Sequence, residues 1–216
     1  MKKLSLLLAA LLILSGTVVC AEWETFKSAD GMYEYTKDGV ITAYYGDEFA
    51  FFPAEIDGTK INEIGVMACF DLGLEAISVA EGIELINTNA FEGSNAESAY
   101  IPSSVKSIGE RAFANCANLN EVTLNSEEIT FDFDVFVGTG FIQFYIPCTA
   151  DEHAMYEKIS DAKGDGNFSF SLMHTALVES MTEKDIFGEN MIYCEGCGFK
   201  GSKYLEDTSL PFADIS

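Results

Sequence analysis

The chain has 216 residues and a formal net charge of −23, because 35 acidic residues outnumber 12 lysines and arginines. Such a surface repels phosphate backbones, which argues against nucleic acid as a partner. It also disfavours adsorption to bare anionic lipid and favours solubility outside the cell. Alternatively, the acidic residues serve to bind a cationic partner or divalent ions.

The first 21 residues have the pattern of an export signal. Lys2 and Lys3 precede an apolar run from Leu4 to Leu14, and Val19-Cys20-Ala21 fits the small-residue rule for cleavage. The run is too short to span a bilayer comfortably. Removing 21 of the 216 residues leaves 195, with a charge of −25 and no later segment apolar enough to cross a membrane. We expect a protein that is secreted or on the outer face of the cell envelope, with lipid attachment at Cys20 as the alternative to plain secretion.

Residues 22–60 are predicted to form an N-terminal β cap. Two strand-like segments, residues 32–35 and 40–45, flank Lys37-Asp38-Gly39, and an Asp-Gly pair tolerates the positive φ of a tight turn. A third predicted strand, Glu48 to Phe52, leads through a second Asp-Gly turn into the next segment.

A repeat of 22 residues dominates residues 61–147. Ile86-Asn87-Thr88-Asn89-Ala90-Phe91 recurs as Ile108-Gly109-Glu110-Arg111-Ala112-Phe113, and a degenerate copy ending at Cys69 comes 22 residues earlier. A fixed period of this length predicts a solenoid, in which each coil stacks on its neighbours. Each copy follows a short segment of alternating apolar residues, which predicts a strand with one face inward. The Ala-Phe pair is predicted to close a single turn of α- or 3₁₀-helix.

The repeat accounts for two of the cysteines as core residues. Cys69 occupies the position of Phe91 and Phe113, and Cys116 lies in the same ladder, where a small apolar side chain fits. Five cysteines remain after cleavage, and an odd number argues against a complete disulfide framework.

Residues 101–122, IPSSVKSIGERAFANCANLNEV, resemble the repeat of the BspA-like leucine-rich-repeat family. The likeness extends over roughly residues 50–147. It implies an α/β repeat fold, a solenoid with a short strand and a helical turn in each coil of about 22–23 residues. It also implies an exported, non-enzymatic bacterial protein that adheres to an extracellular or host protein or glycan. A structural role in the envelope is the alternative. The family has no shared catalytic residues.

One outward position recurs in every predicted strand of the repeat. It holds hydroxyl and aromatic side chains, which suit a recognition surface; the same residue types also have good strand propensity. We call this set the strip: Ser78, Tyr100, Thr123 and Tyr145.

Residues 148–216 are predicted to form a helical cap and an α+β tail. A helix over 149–162 begins at Thr149 and turns Ala154, Tyr156 and Ile159 inward. A strand over 168–172 and a weak helix over 176–187 follow.

The tail contains the one motif whose side chains could bind a metal or react, Cys194-x-x-Cys197. Two thiols at this spacing suit half of a structural zinc site, a local disulfide or a redox pair. Zinc needs two further ligands, for which Cys148, His153 and His174 are the thiol and imidazole candidates. The sequence has no catalytic motif, so we predict no enzymatic activity and no cofactor other than this zinc.

Overall fold

The computed structural model describes residues 24–165 and 167–173, and beyond them only the strands 177–184, 190–194 and 200–202. The predicted export signal, Cys20, His174 and Cys197 lie outside the described residues. In chain order the elements are β1 Thr25–Lys27, β2 Tyr33–Thr36, β3 Val40–Tyr44, β4 Phe49–Phe52, β5 Glu55–Ile56, β6 Thr59–Lys60, β7 Glu63–Ile64, β8 Ala76–Val79, β9 Leu85–Ile86, β10 Ser98–Ile101, β11 Ser107–Ile108, β12 Glu121–Leu124, β13 Thr130–Phe131, β14 Ile142–Pro147, α1 Glu152–Lys163, β15 Phe168–Met173, β16 Leu177–Lys184, β17 Asn190–Cys194 and β18 Lys200–Ser202.

Two sheets run along the length of the molecule, and the chain alternates between them as it coils. Sheet A has the order β1-β2-β3-β7-β9-β11-β13, and sheet B has the order β15-β14-β12-β10-β8-β4. Every pairing in sheet B is parallel, as are the pairings of sheet A from β3 onward. The predicted solenoid is therefore confirmed.

Residues that are one period apart in the sequence are direct neighbours in adjacent coils. Ala99 lies opposite Ile77 on one side and Val122 on the other, and all three side chains are buried. The alternate residues of the same strands face outward. Stacking therefore joins the apolar face of each coil into one continuous core, which a single coil could not form.

The segments after the short sheet A strands are turns, and the helical turn predicted for each coil is not found there. Asn89 has a φ of 56° and Gly93 a φ of 76°, and this left-handed backbone interrupts any helix. Alternate amides bond to the next coil instead: Phe91 N donates to Ala112 O at 2.8 Å and Gly93 N to Ala114 O at 2.8 Å. These bonds form a third ladder between coils.

The phenylalanines of the repeat form a stack through the core. The rings of Phe113 and Phe136 are stacked with centroids 5.6 Å apart, and Phe113 stacks in the same way on Phe91. Phe52 and Phe144 contact the two ends of this stack edge-on. Each ring thus fills the space between successive coils.

A column of small polar side chains runs beside the phenylalanine stack. Ser94 Oγ lies 3.3 Å from Cys116 Sγ, which also donates to Phe91 O. Thr139 holds the next position and donates to Phe136 O at 2.7 Å. At the end of the column the buried Lys163 donates to Thr139 Oγ1 at 3.0 Å and bonds to Asp165. Because these polar atoms have partners, their burial is tolerated.

The N-terminal hairpin is continuous with the solenoid. β2 and β3 pair antiparallel around Gly39, which has a φ of 87°. A Cβ at Gly39 would come within 2.3 Å of Lys60 O, so the close approach of these two loops requires glycine. β3 then pairs parallel with β7, and β4 pairs parallel with β8.

Helix α1 closes the last coil, with two differences from the prediction. Asp151 caps the helix by accepting from Ala154 N, so the helix begins after Asp151 and not at Thr149. Met155 and Ile159 are buried, whereas Tyr156 is exposed. The buried residues Met155, Ile159 and Ala162 are spaced at i, i+4 and i+7, so they form one face of the helix, and Tyr156 lies outside that face.

The tail differs from the predicted helix over 176–187. Residues 177–184 form β16, which pairs antiparallel with β17, and β17 pairs antiparallel with β18. The apolar residues Leu177, Val178 and Met181 are consistent with either structure, and pairing with β17 selects the strand.

One coil is a residue longer than the coil before it, and the extra residue lies in an exposed corner. Ser98 lies 22 residues after its partner Ala76 but 23 residues before its partner Glu121. The extra residue falls in the exposed pair Ala117–Asn118, where the chain turns from the third ladder back toward sheet B. The strands on either side keep their pairing.

Candidate binding surface

The outward face of sheet B brings the four side chains of the strip into one row. Tyr100 lies opposite Ser78 in β8 and opposite Thr123 in β12, and Thr123 lies opposite Tyr145 in β14. Tyr100 is 41% exposed, and its hydroxyl accepts a 2.6 Å hydrogen bond from Asn125 Nδ2. Ser78, Thr123 and Tyr145 are half-buried. The strip is a real alignment, and its role in binding stays a prediction.

The row continues at both ends with residues that the repeat did not indicate. Phe51 lies opposite Ser78, and Ser171 lies opposite Tyr145. The β5–β6 hairpin separates β4 from β8, and helix α1 separates β14 from β15, so neither end has the 22-residue spacing. The alternation of Phe49-Ala50-Phe51-Phe52 was the available signal, because it marks a strand with one outward face.

A second outward row lies beside the strip. Its members are Phe49, Ala76, Ser98, Glu121, Gln143 and Ser169. Phe49 is 65% exposed and Phe51 is 52% exposed, so the edge strand β4 presents two phenyl rings to solvent. At the other end, Gln143 Nε2 donates to Ser171 Oγ at 3.2 Å. The face is aromatic at β4 and polar at β15.

A ridge of glutamates borders these rows where the chain enters the strands. Glu75 N donates to Glu48 O at 2.7 Å, and Glu97 N donates to Glu75 O at 2.8 Å, so the three residues occupy equivalent places in successive coils. All three are exposed. We call Glu48, Glu75 and Glu97 the acidic ridge. No lysine or arginine occurs in the six strands of sheet B or at the residue before each of them.

Two cysteines lie in the core, as predicted. Cys69 and Cys116 are both fully buried, and burial raises the pKa of each thiol. A buried thiol with a raised pKa is a poor nucleophile and a poor metal ligand. Neither cysteine belongs to a reactive site.

The structure does not test the Cys194-x-x-Cys197 motif as a site. Cys194 ends strand β17, and Cys197 lies outside the described residues. Among the residues that are described, no group of three or more histidine, cysteine or carboxylate side chains could hold a metal ion. His153 is exposed on α1 with Glu157 at 3.5 Å. Structural zinc at Cys194 and Cys197 stays a prediction, which metal analysis of the purified protein checks.

Within the described part of the chain, no helix has the length and apolar character needed to cross a membrane.

Comparison with known proteins places these features in a family. A search of curated proteins finds no match. The leucine-rich repeat protein of T. pallidum is similar over 56% of this chain and 68% of its own, with 18% identity and a TM-score of 0.35. The pneumococcal vaccine antigen PcpA is similar over 58% of this chain and 50% of its own, with 11% identity and a TM-score of 0.33. The model of the BspA-type leucine-rich repeat region matches residues 49–156 in six copies. Half of the sequence is thus accounted for by this repeat, and the chain belongs to the BspA-type leucine-rich repeat family.

Proposed function

We propose that this protein is an exported, non-enzymatic binding module that holds a protein or glycan ligand on the outward face of sheet B, at the bacterial surface or outside the cell. The observation that carries the proposal is the alignment of the strip with Phe51 across neighbouring strands. Membership of a repeat family whose solenoids serve as interaction scaffolds supports it.

The chemistry of the face suits recognition more than stability. Tyrosine, serine and threonine offer hydroxyls, and tyrosine adds a large apolar surface at low cost in side-chain entropy. Burial of exposed rings such as Phe51 and Tyr100 against a partner removes apolar surface from water and so contributes favourable free energy to binding. The parallel strands beneath hold these groups in fixed register, so little ordering is needed on binding.

A binding screen against extracellular proteins and glycans tests the proposal. We expect Tyr100→Ala/Tyr145→Ala to lose the captured ligand, because both rings belong to the strip. Tyr156→Ala is the matched control, since this tyrosine is similarly exposed but lies on α1. Urea unfolding of each variant establishes that the solenoid is intact.

Equal capture by the wild-type protein and the double variant rejects the strip as the binding surface. Self-association that depends on protein concentration, with no captured ligand, favours the structural envelope role instead.

A further inference from the structure

Sheet B combines exposed aromatic rings with negative charge that the surface itself does not neutralise. Phe49, Phe51 and Tyr100 face solvent, and the acidic ridge borders them. The carboxylates of Glu75 and Glu97 form no ion pair in the described residues, whereas Glu84, the residue before β9, bonds to Lys106 at 2.8 Å. The charge of the ridge therefore remains available to a partner.

The spacing of the ridge concentrates this charge. Glu48, Glu75 and Glu97 immediately precede the neighbouring strands β4, β8 and β10, and adjacent strands lie about 4.8 Å apart, so the backbones of the three residues lie within about 10 Å along the solenoid axis. In the next coil the position equivalent to Glu97 holds Asn120, whereas Glu121 lies opposite Ser98 and adds its charge to the second outward row. Like charges at this spacing repel one another, and a bound cation relieves that repulsion.

The rings add a second attraction for the same ligand. The negative face of an aromatic ring attracts an ammonium or guanidinium group. The chain itself provides an example at this end of the molecule, where Lys27 Nζ lies 4.8 Å from the ring centroid of Tyr45. Phe49 and Phe51 are equally accessible to a cation supplied from outside.

We propose that the occupant of this face is a basic, extended segment of a partner protein, whose lysine or arginine side chains reach the acidic ridge and the rings of Phe49, Phe51 and Tyr100. This inference rests on the proposed function, and it names the partner class. Charge complementarity favours this partner. A neutral glycan can form hydrogen bonds with the hydroxyls of the strip but cannot form ion pairs with the acidic ridge. A basic peptide segment can do both. The net charge of −23 steers such a segment toward the protein from a distance.

Peptide probes test the inference directly. The probe is a peptide of about twelve residues in which lysine alternates with serine, because an extended chain places alternate side chains on one face. Peptides with glutamine or glutamate in place of lysine are the controls. Binding is measured by fluorescence anisotropy at about 0.05 M and about 0.5 M salt, since the higher salt shortens the range of the attraction several-fold.

Matched variants separate a local site from general attraction. Glu75→Gln/Glu97→Gln removes two charges from the ridge, and Phe51→Ser removes a ring. Glu110→Gln/Glu128→Gln removes two exposed charges elsewhere. We expect the wild-type protein to bind only the lysine peptide, with an affinity that falls at high salt. The ridge pair and Phe51→Ser should each weaken binding roughly tenfold, and the control pair should change it less than about twofold.

The possible results distinguish failure of the inference from failure of the proposed function. Equal weakening by the ridge pair and the control pair overturns the inference, because net charge alone then explains binding. So does a glycan or neutral protein whose capture depends on Tyr100 and Tyr145 but not on Glu75 and Glu97, although the proposed function then stands. No binding of the lysine peptide also overturns it. If the lysine peptide depends on the ridge but no ligand depends on the two tyrosines, the basic partner is supported and the strip is rejected.

Discussion

The rings of Phe91 and Phe113 are stacked at 5.1 Å between centroids, with their planes 20° apart, although 22 residues separate them in the chain. Both side chains are fully buried, and Phe136 continues the stack into the next coil. Because every coil is joined to its neighbours by such contacts, the loss of one ring affects the interfaces on both sides.

Phe113→Ala should therefore be strongly destabilising. We expect the free energy of unfolding to fall by about 3–5 kcal/mol, since the substitution removes a buried ring and leaves a cavity between coils. Urea unfolding followed by circular dichroism measures this change. Phe133→Ala is the control because Phe133 is 78% exposed, and a change there above about 1 kcal/mol contradicts the interpretation.

The two core thiols should respond differently to a hydroxyl. Cys116→Ser places the hydroxyl where Phe91 O and Ser94 already bond to sulfur, so we expect a cost below about 1 kcal/mol. Within the described residues Cys69 has no such hydrogen bond, and burial alone raises its thiol pKa. Cys69→Ser should therefore cost about 2 kcal/mol or more. Equal costs in urea unfolding would falsify this account of the polar column.

Met67 holds a left-handed backbone position that suits a different residue. Its φ is 55°, and Asn89, with a φ of 56°, occupies the equivalent position one coil later. Asparagine tolerates this conformation better than methionine, and the Met67 side chain is exposed. Met67→Asn should raise the free energy of unfolding by about 0.5–1 kcal/mol. Thermal unfolding provides the measurement, and a lower melting temperature contradicts the prediction.

Glu92 should make part of the stability dependent on pH. Its carboxylate accepts from Arg111 Nη2 at 2.5 Å, and it also bonds to Asn89 and Asn115. The hydrogen bond from Arg111 is the main reason that the pKa of Glu92 lies below its ordinary value. A carboxyl whose pKa is lower in the folded state stabilises the fold above its unfolded pKa, and this contribution is lost as the pH falls through the folded pKa.

Comparison with Glu92→Gln isolates that contribution from the other carboxylates. The wild-type protein should be the more stable at about pH 7, and the difference in free energy of unfolding should shrink toward about pH 3. Urea unfolding across this pH range provides the values. A difference that stays constant with pH would show that Glu92 acts through its shape and not through its charge.

Much of the fold could be predicted because the apolar residues of the repeat recur in the sequence at a nearly constant spacing. Positions such as Ile77, Ala99 and Val122 recur at 22 or 23 residues and become partners in sheet B. The turn geometry could not be predicted in the same way. The segment Asn89-Ala90-Phe91 has acceptable helix formers, and only the hydrogen bonds to the next coil favour turns over a helix.

The candidate surface shows the same division. The alignment of Ser78, Tyr100, Thr123 and Tyr145 follows from the period, so the sequence was sufficient to find it. Phe51 was missed because an inserted hairpin breaks the spacing before β8. The acidic ridge was missed because Glu48, Glu75 and Glu97 are ordinary exposed acids until the fold places them side by side.

The corner at Ala117–Asn118 has a consequence for how this molecule can diversify. An extra residue there leaves the pairing of β10 with β12 intact, so the length of this loop is uncoupled from the register of the outward rows. A longer loop at this place can project beside Glu121 and Thr123 without disturbing the core. Specificity for a new partner can thus be acquired at a corner while the scaffold stays unchanged.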